Sequence, residues 1–114
     1  MAAVIPALSE ERMQHIVASH CRTDGEGSEL LPSKQFGKAY FPTGLSPELL
    51  KGLIISKVMT QADRTTPSAR DTTKHFYKME PWFPSNGGKK VELCIEIKNK
   101  GGSDIVWTAY PKFY

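Results

Sequence analysis

Cysteine is scarce in this sequence, and long apolar runs are missing from it. Only two cysteines, Cys21 and Cys94, occur among 114 residues, and no other feature is typical of a disulfide-stabilised secreted scaffold. We therefore expect two free thiols. No stretch approaches the roughly 20 consecutive apolar residues that span a bilayer, and the start, MAAVIPALSEE, lacks the cationic segment of a signal peptide. We predict a soluble protein without a membrane span.

Several motifs of catalysis and metal binding are also absent. The sequence has no cysteine pair at zinc spacing, no phosphate-binding Walker loop, no Gly-x-Ser-x-Gly and no His-Glu-x-x-His. The net charge of +3 is small, so it permits an anionic partner without requiring one. What remains for chemistry is a set of histidines, lysines and hydroxyl-bearing residues.

The residues that are present predict one domain over 1–114. The chain is 39% hydrophobic and 24% charged, which is typical of soluble globular proteins and excludes a disordered or fibrous class. Its length is sufficient for one hydrophobic core.

Two helices are predicted by their first residues. Ser9 is a good N-cap, with acidic residues in the next turn, and this helix should end near Arg22 before a glycine-rich stretch. Ser46 caps the second helix, Pro47 takes its first position, and apolar residues at helical spacing continue to about Gln61. Residues 63–73 are polar and predict a loop.

The last third predicts an antiparallel β-meander. Residues 75–83 form a weak strand that Pro81 interrupts, SNGG predicts a hairpin turn, and residues 89–98 alternate apolar and polar. That alternation puts Glu92, Glu96 and Lys98 on the solvent face. On the final strand it places Ile105, Trp107 and Ala109 on one face, and on the opposite face it places Val106, Thr108 and Tyr110. We predict an α+β fold in which N-terminal helices pack on this meander.

The histidines are unusual in their spacing. His15 and His20 lie on the first predicted helix, and a separation of five residues puts them roughly 140° apart around its axis. They are therefore unsuited to holding one metal ion from one helix face. From residue chemistry alone, His15 is an ordinary surface histidine, His20 is a capping or core group, and His75 has no obvious partner. Lys34 and Lys38 are ordinary loop lysines by the same reasoning.

Three segments in order resemble the EndoU endoribonuclease family, which includes compact bacterial toxin domains. They are QHIVASH on the first helix, GKAYFPTGLSPELL before and into the second helix, and DIVWTAYPKF at the end. The resemblance implies a fold of the barnase, EndoU, colicin and RelE ribonuclease type. It implies catalytic roles for His15, Lys38, Thr108 and Tyr110. Family members place a second histidine in the glycine-rich segment, where this sequence has none, and His20 is the candidate for its role.

The resemblance also implies an activity and a setting. A His–His–Lys centre of this family cleaves RNA, here with tRNA as one candidate target, and leaves a 2′,3′-cyclic phosphate without a metal or other cofactor. The toxin domains belong to contact-dependent growth inhibition systems. We accordingly expect a monomeric domain of a secreted or surface-displayed bacterial protein, active in the cytoplasm of a target cell and bound by an acidic immunity protein.

Two other interpretations stay open at this point. The chain could be a non-catalytic module that binds RNA or protein through the face of the meander. It could also be a metal-dependent nuclease, in which case EDTA would abolish cleavage.

Overall fold

The computed structural model describes residues 5–22, 29–68, 71–83 and 90–114. Within these ranges the chain forms two α-helices, a two-stranded hairpin and a four-stranded sheet. The elements in chain order are α1 Glu10–His20, β1 Ser33–Gln35, β2 Lys38–Tyr40, α2 Pro47–Val58, β3 Arg64–Pro67, β4 Thr73–Lys78, a 3₁₀ turn Glu80–Trp82, β5 Val91–Lys100 and β6 Ser103–Phe113. The α+β class and the packing of an N-terminal helix on a C-terminal meander are confirmed.

Both helices begin where their caps predict. The Ser9 hydroxyl accepts a hydrogen bond from the amide of Arg12 at 3.1 Å, and the Ser46 hydroxyl accepts one from the amide of Leu49 at 3.2 Å. The second helix ends at Val58 rather than near Gln61. The hydroxyl and amide of Thr60 both bond the carbonyl of Lys57, which closes the helix at that point.

The large sheet is antiparallel throughout, in the order β3-β4-β5-β6. The prediction of a loop over 63–73 is wrong in its first half, because Arg64–Pro67 pairs with β4. An edge strand needs no apolar face, and Pro67 is tolerated at its end. The interruption of the next predicted strand is confirmed, since Pro81 lies in the 3₁₀ turn. The SNGG segment lies outside the described residues.

A β-bulge interrupts the pairing of β5 with β6. Glu96 pairs with Thr108 and Ile97 pairs with Val106, so Trp107 lies opposite no residue of β5. The bulge reverses the alternation, which is why Val106 and Ala109 are both fully buried in the core. The prediction that Trp107 and Ala109 share a face, with Val106 on the opposite one, is therefore wrong.

The core lies between the helices and the sheet. Its fully buried members include Ile16 of α1, Leu50 and Ile54 of α2, and Leu93 and Ile95 of β5. Among the described residues, no helix is long and apolar enough to cross a membrane. Cys21 is partly exposed, Cys94 is buried, and both are free thiols, as expected.

The solvent face predicted for β5 is wrong at two of its three positions. Glu92 and Glu96 are only 1% and 4% exposed. Arg64 and Lys90 cover Glu92, while hydroxyl groups from Thr72 and Tyr110 reach Glu96. Lys98 keeps partial exposure and lies over the ring of Trp107. Period-two alternation identifies a face of a strand but not what covers that face.

A candidate active-site cleft

A cleft of about 520 Å³ opens where α1, the β1–β2 hairpin and β6 meet. The end of α1 is tied to the hairpin because the amide of Phe41 donates to the carbonyl of His20 at 2.8 Å. The residues that line it are His15, Ser19, His20, Lys34, Gly37, Lys38, Ala39, Ser68, Lys74, Glu96, Trp107, Thr108, Tyr110, Pro111, Lys112 and Phe113.

The five site residues named from the sequence all line this cleft. They are His15, His20, Lys38, Thr108 and Tyr110. The two histidines reach it from different parts of α1, because His15 is exposed on its flank and His20 is its last residue. His75 lies elsewhere, in a separate depression that also includes Asp63 and Asp104.

The bulge in β6 fixes where α1 lies. Both Nε and Nη2 of Arg12 donate to the carbonyl of Trp107, at 2.8 and 2.6 Å, and the guanidinium stacks 3.8 Å from the centre of the Trp107 ring. Because Trp107 has no partner on β5, its carbonyl is free to receive Arg12. His15 is three residues after Arg12 and so lies on the same side of the helix.

His20 is held in one orientation and one tautomer. Its Nδ1 lies 2.9 Å from the carbonyl oxygen of Ala39. A carbonyl only accepts, so Nδ1 donates, and in the neutral ring the basic lone pair is then on Nε2. Burial lowers the pKa of His20 from its ordinary value of 6.5, and the nearby positive charge of Lys38 lowers it further, against the raising effects of Ala39 and Glu96. Burial and the charge of Lys38 therefore favour the neutral ring, and the hydrogen bond to Ala39 decides that its basic lone pair is on Nε2.

A buried carboxylate forms the floor of the cleft beside His20. Glu96 accepts hydrogen bonds from the hydroxyls of Thr72, at 2.7 Å, and Tyr110, at 2.9 Å. Burial raises the pKa of Tyr110 well above its usual value, and the nearby Cys94 and Glu96 raise this pKa further. The Tyr110 hydroxyl therefore stays protonated and donates. Burial likewise raises the pKa of the Cys94 thiol to about 11.

Tyr110 therefore presents its ring to the cleft. The ring centre is 5.4 Å from that of His20, at an interplanar angle of 35°. With the hydroxyl engaged by Glu96, the Tyr110 ring is a second contact that holds the His20 imidazole, in addition to its hydrogen bond to the Ala39 carbonyl. Tyr110 is suited to orienting His20 as well as to contacting a ligand.

Thr108 differs from its neighbours in having an unsatisfied hydroxyl. The side chain is 5% exposed, and its Oγ1 is buried without a hydrogen-bond partner among the described residues. An unmade buried hydrogen bond costs about 1–3 kcal/mol. Thr108 also lines the cleft, but its Oγ1 is shielded from solvent, so a bond from this hydroxyl to a ligand requires a rotation of the side chain.

The cleft concentrates positive charge. Four lysines line it, Lys34, Lys38, Lys74 and Lys112, against the single carboxylate of Glu96. The whole chain carries a net charge of only +3, so this cluster is local. Clustered cations in a concave site attract anionic ligands. Among the described residues, no group of three or more His, Cys, Asp and Glu side chains is arranged to hold a metal ion.

Sequence reasoning missed Glu96, Lys74 and Lys112. Lys74 and Glu96 are register partners on β4 and β5, so only the pairing of these strands brings them to one cleft, and no local sequence pattern indicates it. Lys112 is two residues beyond Tyr110 on β6, and this spacing is a local signal that could have identified it.

Comparison with protein-family models, with curated proteins and with solved structures finds no match to this chain. The functional assignment consequently depends on the cleft itself.

Proposed function

We propose that the protein is an endoribonuclease that cleaves RNA by transesterification at the 2′-hydroxyl. The arrangement of His20 supports this most directly: its Nδ1 is bound to a backbone carbonyl, its Nε2 is basic, and it lies in a cleft lined by four lysines. This combination pairs a base with a site for a phosphate. The resemblance of three sequence segments to the EndoU family points to the same chemistry.

RNA carries its own nucleophile, so the protein has to move two protons and stabilise charge. In the proposed reaction, Nε2 of His20 removes the proton from the 2′-hydroxyl as the 2′-oxygen bonds to phosphorus. The bond from phosphorus to the 5′-oxygen breaks, and protonated His15 delivers a proton to that oxygen. The products are a 2′,3′-cyclic phosphate and a 5′-hydroxyl. Histidine suits both steps because its ordinary pKa lies near 6.5, and each such group contributes about 10²–10⁴-fold in rate.

The lysines and Thr108 complete the assignment. Lys38 is adjacent to Ala39, which orients His20, so its ammonium group is the one proposed to stabilise the phosphorane. The unpartnered hydroxyl of Thr108 is proposed to bond a base edge or a sugar oxygen of the bound nucleotide. Each step uses side chains of this chain alone.

Incubation of the purified protein with labelled tRNA in EDTA tests the proposal. We expect fragments that end in a 2′,3′-cyclic phosphate, and we expect His15→Ala and His20→Ala each to slow their formation by about 10²–10⁴-fold. His75→Ala is the matched control, because His75 lies outside the cleft. Intact RNA at high protein concentration would contradict the proposal, and cleavage that EDTA abolishes would favour a metal-dependent nuclease.

The same lysines would also suit a non-catalytic module that binds RNA. That alternative predicts binding without cleavage, and His20→Ala would then leave RNA binding nearly unchanged. The assay for cleavage products distinguishes the two functions, whereas the affinity for RNA does not.

The biological setting is proposed on the resemblance alone. A bacterial toxin domain of this type would act in the cytoplasm of a target cell, and an acidic immunity protein would neutralise it. Charge complementarity to the lysines of the cleft is what would attract such a partner.

A further inference from the structure

The hairpin beside the cleft carries an unfavourable residue at its tip. Strands β1 and β2 pair through Gln35 and Lys38, which leaves Phe36 and Gly37 as a two-residue turn. Their φ angles are +53° and +78°. Two positive φ values are the mark of a type I′ turn, where Asn-Gly is favoured. Gly37 fits this turn, but phenylalanine rarely adopts a positive φ.

Burial does not compensate for this backbone conformation. The Phe36 side chain is 96% exposed, more than any other large hydrophobic residue among those the structure describes. A phenylalanine at this position therefore gains nothing from the core and strains the turn. Backbone strain of this kind is concentrated where function requires a particular residue.

The surroundings of the tip indicate what Phe36 could contact. Lys34 and Lys38 flank it on the two strands, and both line the cleft together with Gly37. An exposed aromatic ring between cations is the arrangement by which proteins hold single-stranded nucleic acid: bases stack on the ring and phosphates contact the lysines. These flanking charges favour RNA over an apolar protein surface as the occupant.

We propose that Phe36 is a stacking platform for an unpaired base next to the nucleotide in the cleft. This inference rests on the proposed ribonuclease function and adds the substrate class, a single-stranded or looped segment of RNA. A base in a continuous duplex is stacked on its neighbours and unable to lie on the ring. Phe36 contacts the substrate away from the reacting phosphate, so it contributes to binding and not to the chemical step.

A turn-relieving substitution tests the proposal. Phe36→Asn creates the favoured Asn-Gly turn, so we expect the melting temperature to rise by about 2–5 °C. The same variant should bind a fully 2′-O-methylated single-stranded oligonucleotide, which lacks the attacking hydroxyl, about 5- to 100-fold more weakly by fluorescence anisotropy. On cleavable RNA its KM should rise while kcat stays within about twofold.

Two further variants control the experiment. Phe36→Trp keeps a ring at the tip, so it should retain affinity, and its emission should change when the oligonucleotide binds. Met59→Asn alters another exposed apolar side chain that does not line the cleft, and it should leave affinity unchanged.

The two proposals fail in different ways. If the wild type cleaves RNA but Phe36→Asn binds the oligonucleotide as tightly as the wild type, the stacking proposal is overturned and a protein partner becomes the better occupant of the tip. If the wild type neither cleaves RNA nor binds the oligonucleotide, the proposed function is overturned as well.

Discussion

Two buried glutamates lie four residues apart on β5 and are stabilised in different ways. Glu92 is covered by cations: Nη2 of Arg64 is 3.0 Å from its Oε1, and Nζ of Lys90 is 3.7 Å from its Oε2. Glu96 is covered by hydroxyls from Thr72 and Tyr110. The first arrangement joins the edge strand β3 to the sheet, while the second lies under the cleft.

The difference indicates which carboxylate is structural. The guanidinium of Arg64 also stacks 3.9 Å from the centre of the Phe76 ring, so Glu92 belongs to a packed cluster of charge and aromatic rings. Glu96 contacts Tyr110, which in turn contacts His20. We expect changes around Glu92 to alter stability and changes around Glu96 to alter activity.

The largest expected effect is on the rate of RNA cleavage, in the cleft that Glu96 lines. His20→Ala should reduce RNA cleavage by about 10²–10⁴-fold, because it removes the proposed base. Urea unfolding should change little by comparison, since His20 lies outside the hydrophobic core. Retention of more than a tenth of the wild-type rate would exclude His20 as the base.

Around Glu92 we expect a loss of stability instead. Arg64→Ala leaves the buried carboxylate with the more distant Lys90 and should lower the free energy of unfolding by about 1–3 kcal/mol, allowing for the partial exposure of Arg64. Cleavage by the folded variant should stay within about twofold of wild type. If the fully folded Arg64→Ala variant cleaves RNA much more slowly than wild type, the surroundings of Glu92 also affect activity, which would contradict the distinction between the two glutamates.

The two glutamates are compared directly by Glu96→Gln and Glu92→Gln. The charge of Glu96 raises the pKa of His20, so its removal should lower that pKa further. A base with a lower pKa stays deprotonated at lower pH. The acidic limb of the pH–rate profile should therefore move to lower pH in Glu96→Gln and stay in place in Glu92→Gln. Equal profiles for the two variants would contradict a link from Glu96 to His20.

The smallest effect on stability is expected at Thr108. Thr108→Val is nearly isosteric and removes a buried hydroxyl that has no partner among the described residues, so the melting temperature should be unchanged or slightly higher. The KM for RNA should rise, because the variant loses the proposed bond to the substrate. If the melting temperature falls by several degrees, the Thr108 hydroxyl stabilises the free protein instead.

Features set by local chemistry could be predicted from the sequence. The helix starts at Ser9 and Ser46 depend on caps within a few residues, and simple alternation identifies the core face of β5, formed by Val91, Leu93, Ile95 and Ile97. The strand at Arg64 could not be predicted in this way. Its residues are polar because it lies at the edge of the sheet, and that position is a property of the whole fold.

The candidate site likewise combines features that the local sequence indicates with features that depend on the whole fold. Histidine, lysine, threonine and tyrosine could be named from sequence motifs, but what each group contacts depends on distant segments. Ala39 orients His20, and Thr72 reaches Glu96 across 24 positions. The bulge at Trp107 depends on pairing with β5, so alternation along β6 alone gave the wrong face for Val106.

The most direct test of the account is the chemical identity of the new 3′ end, measured by mass spectrometry on RNA cleaved in EDTA. We predict a 2′,3′-cyclic phosphate that Glu92→Gln produces at close to the wild-type rate and that His20→Ala produces about 10²–10⁴-fold more slowly. A 3′-hydroxyl end, or formation of the cyclic phosphate by His20→Ala at more than a tenth of the wild-type rate, would contradict the central claim that His20 activates the 2′-hydroxyl of RNA.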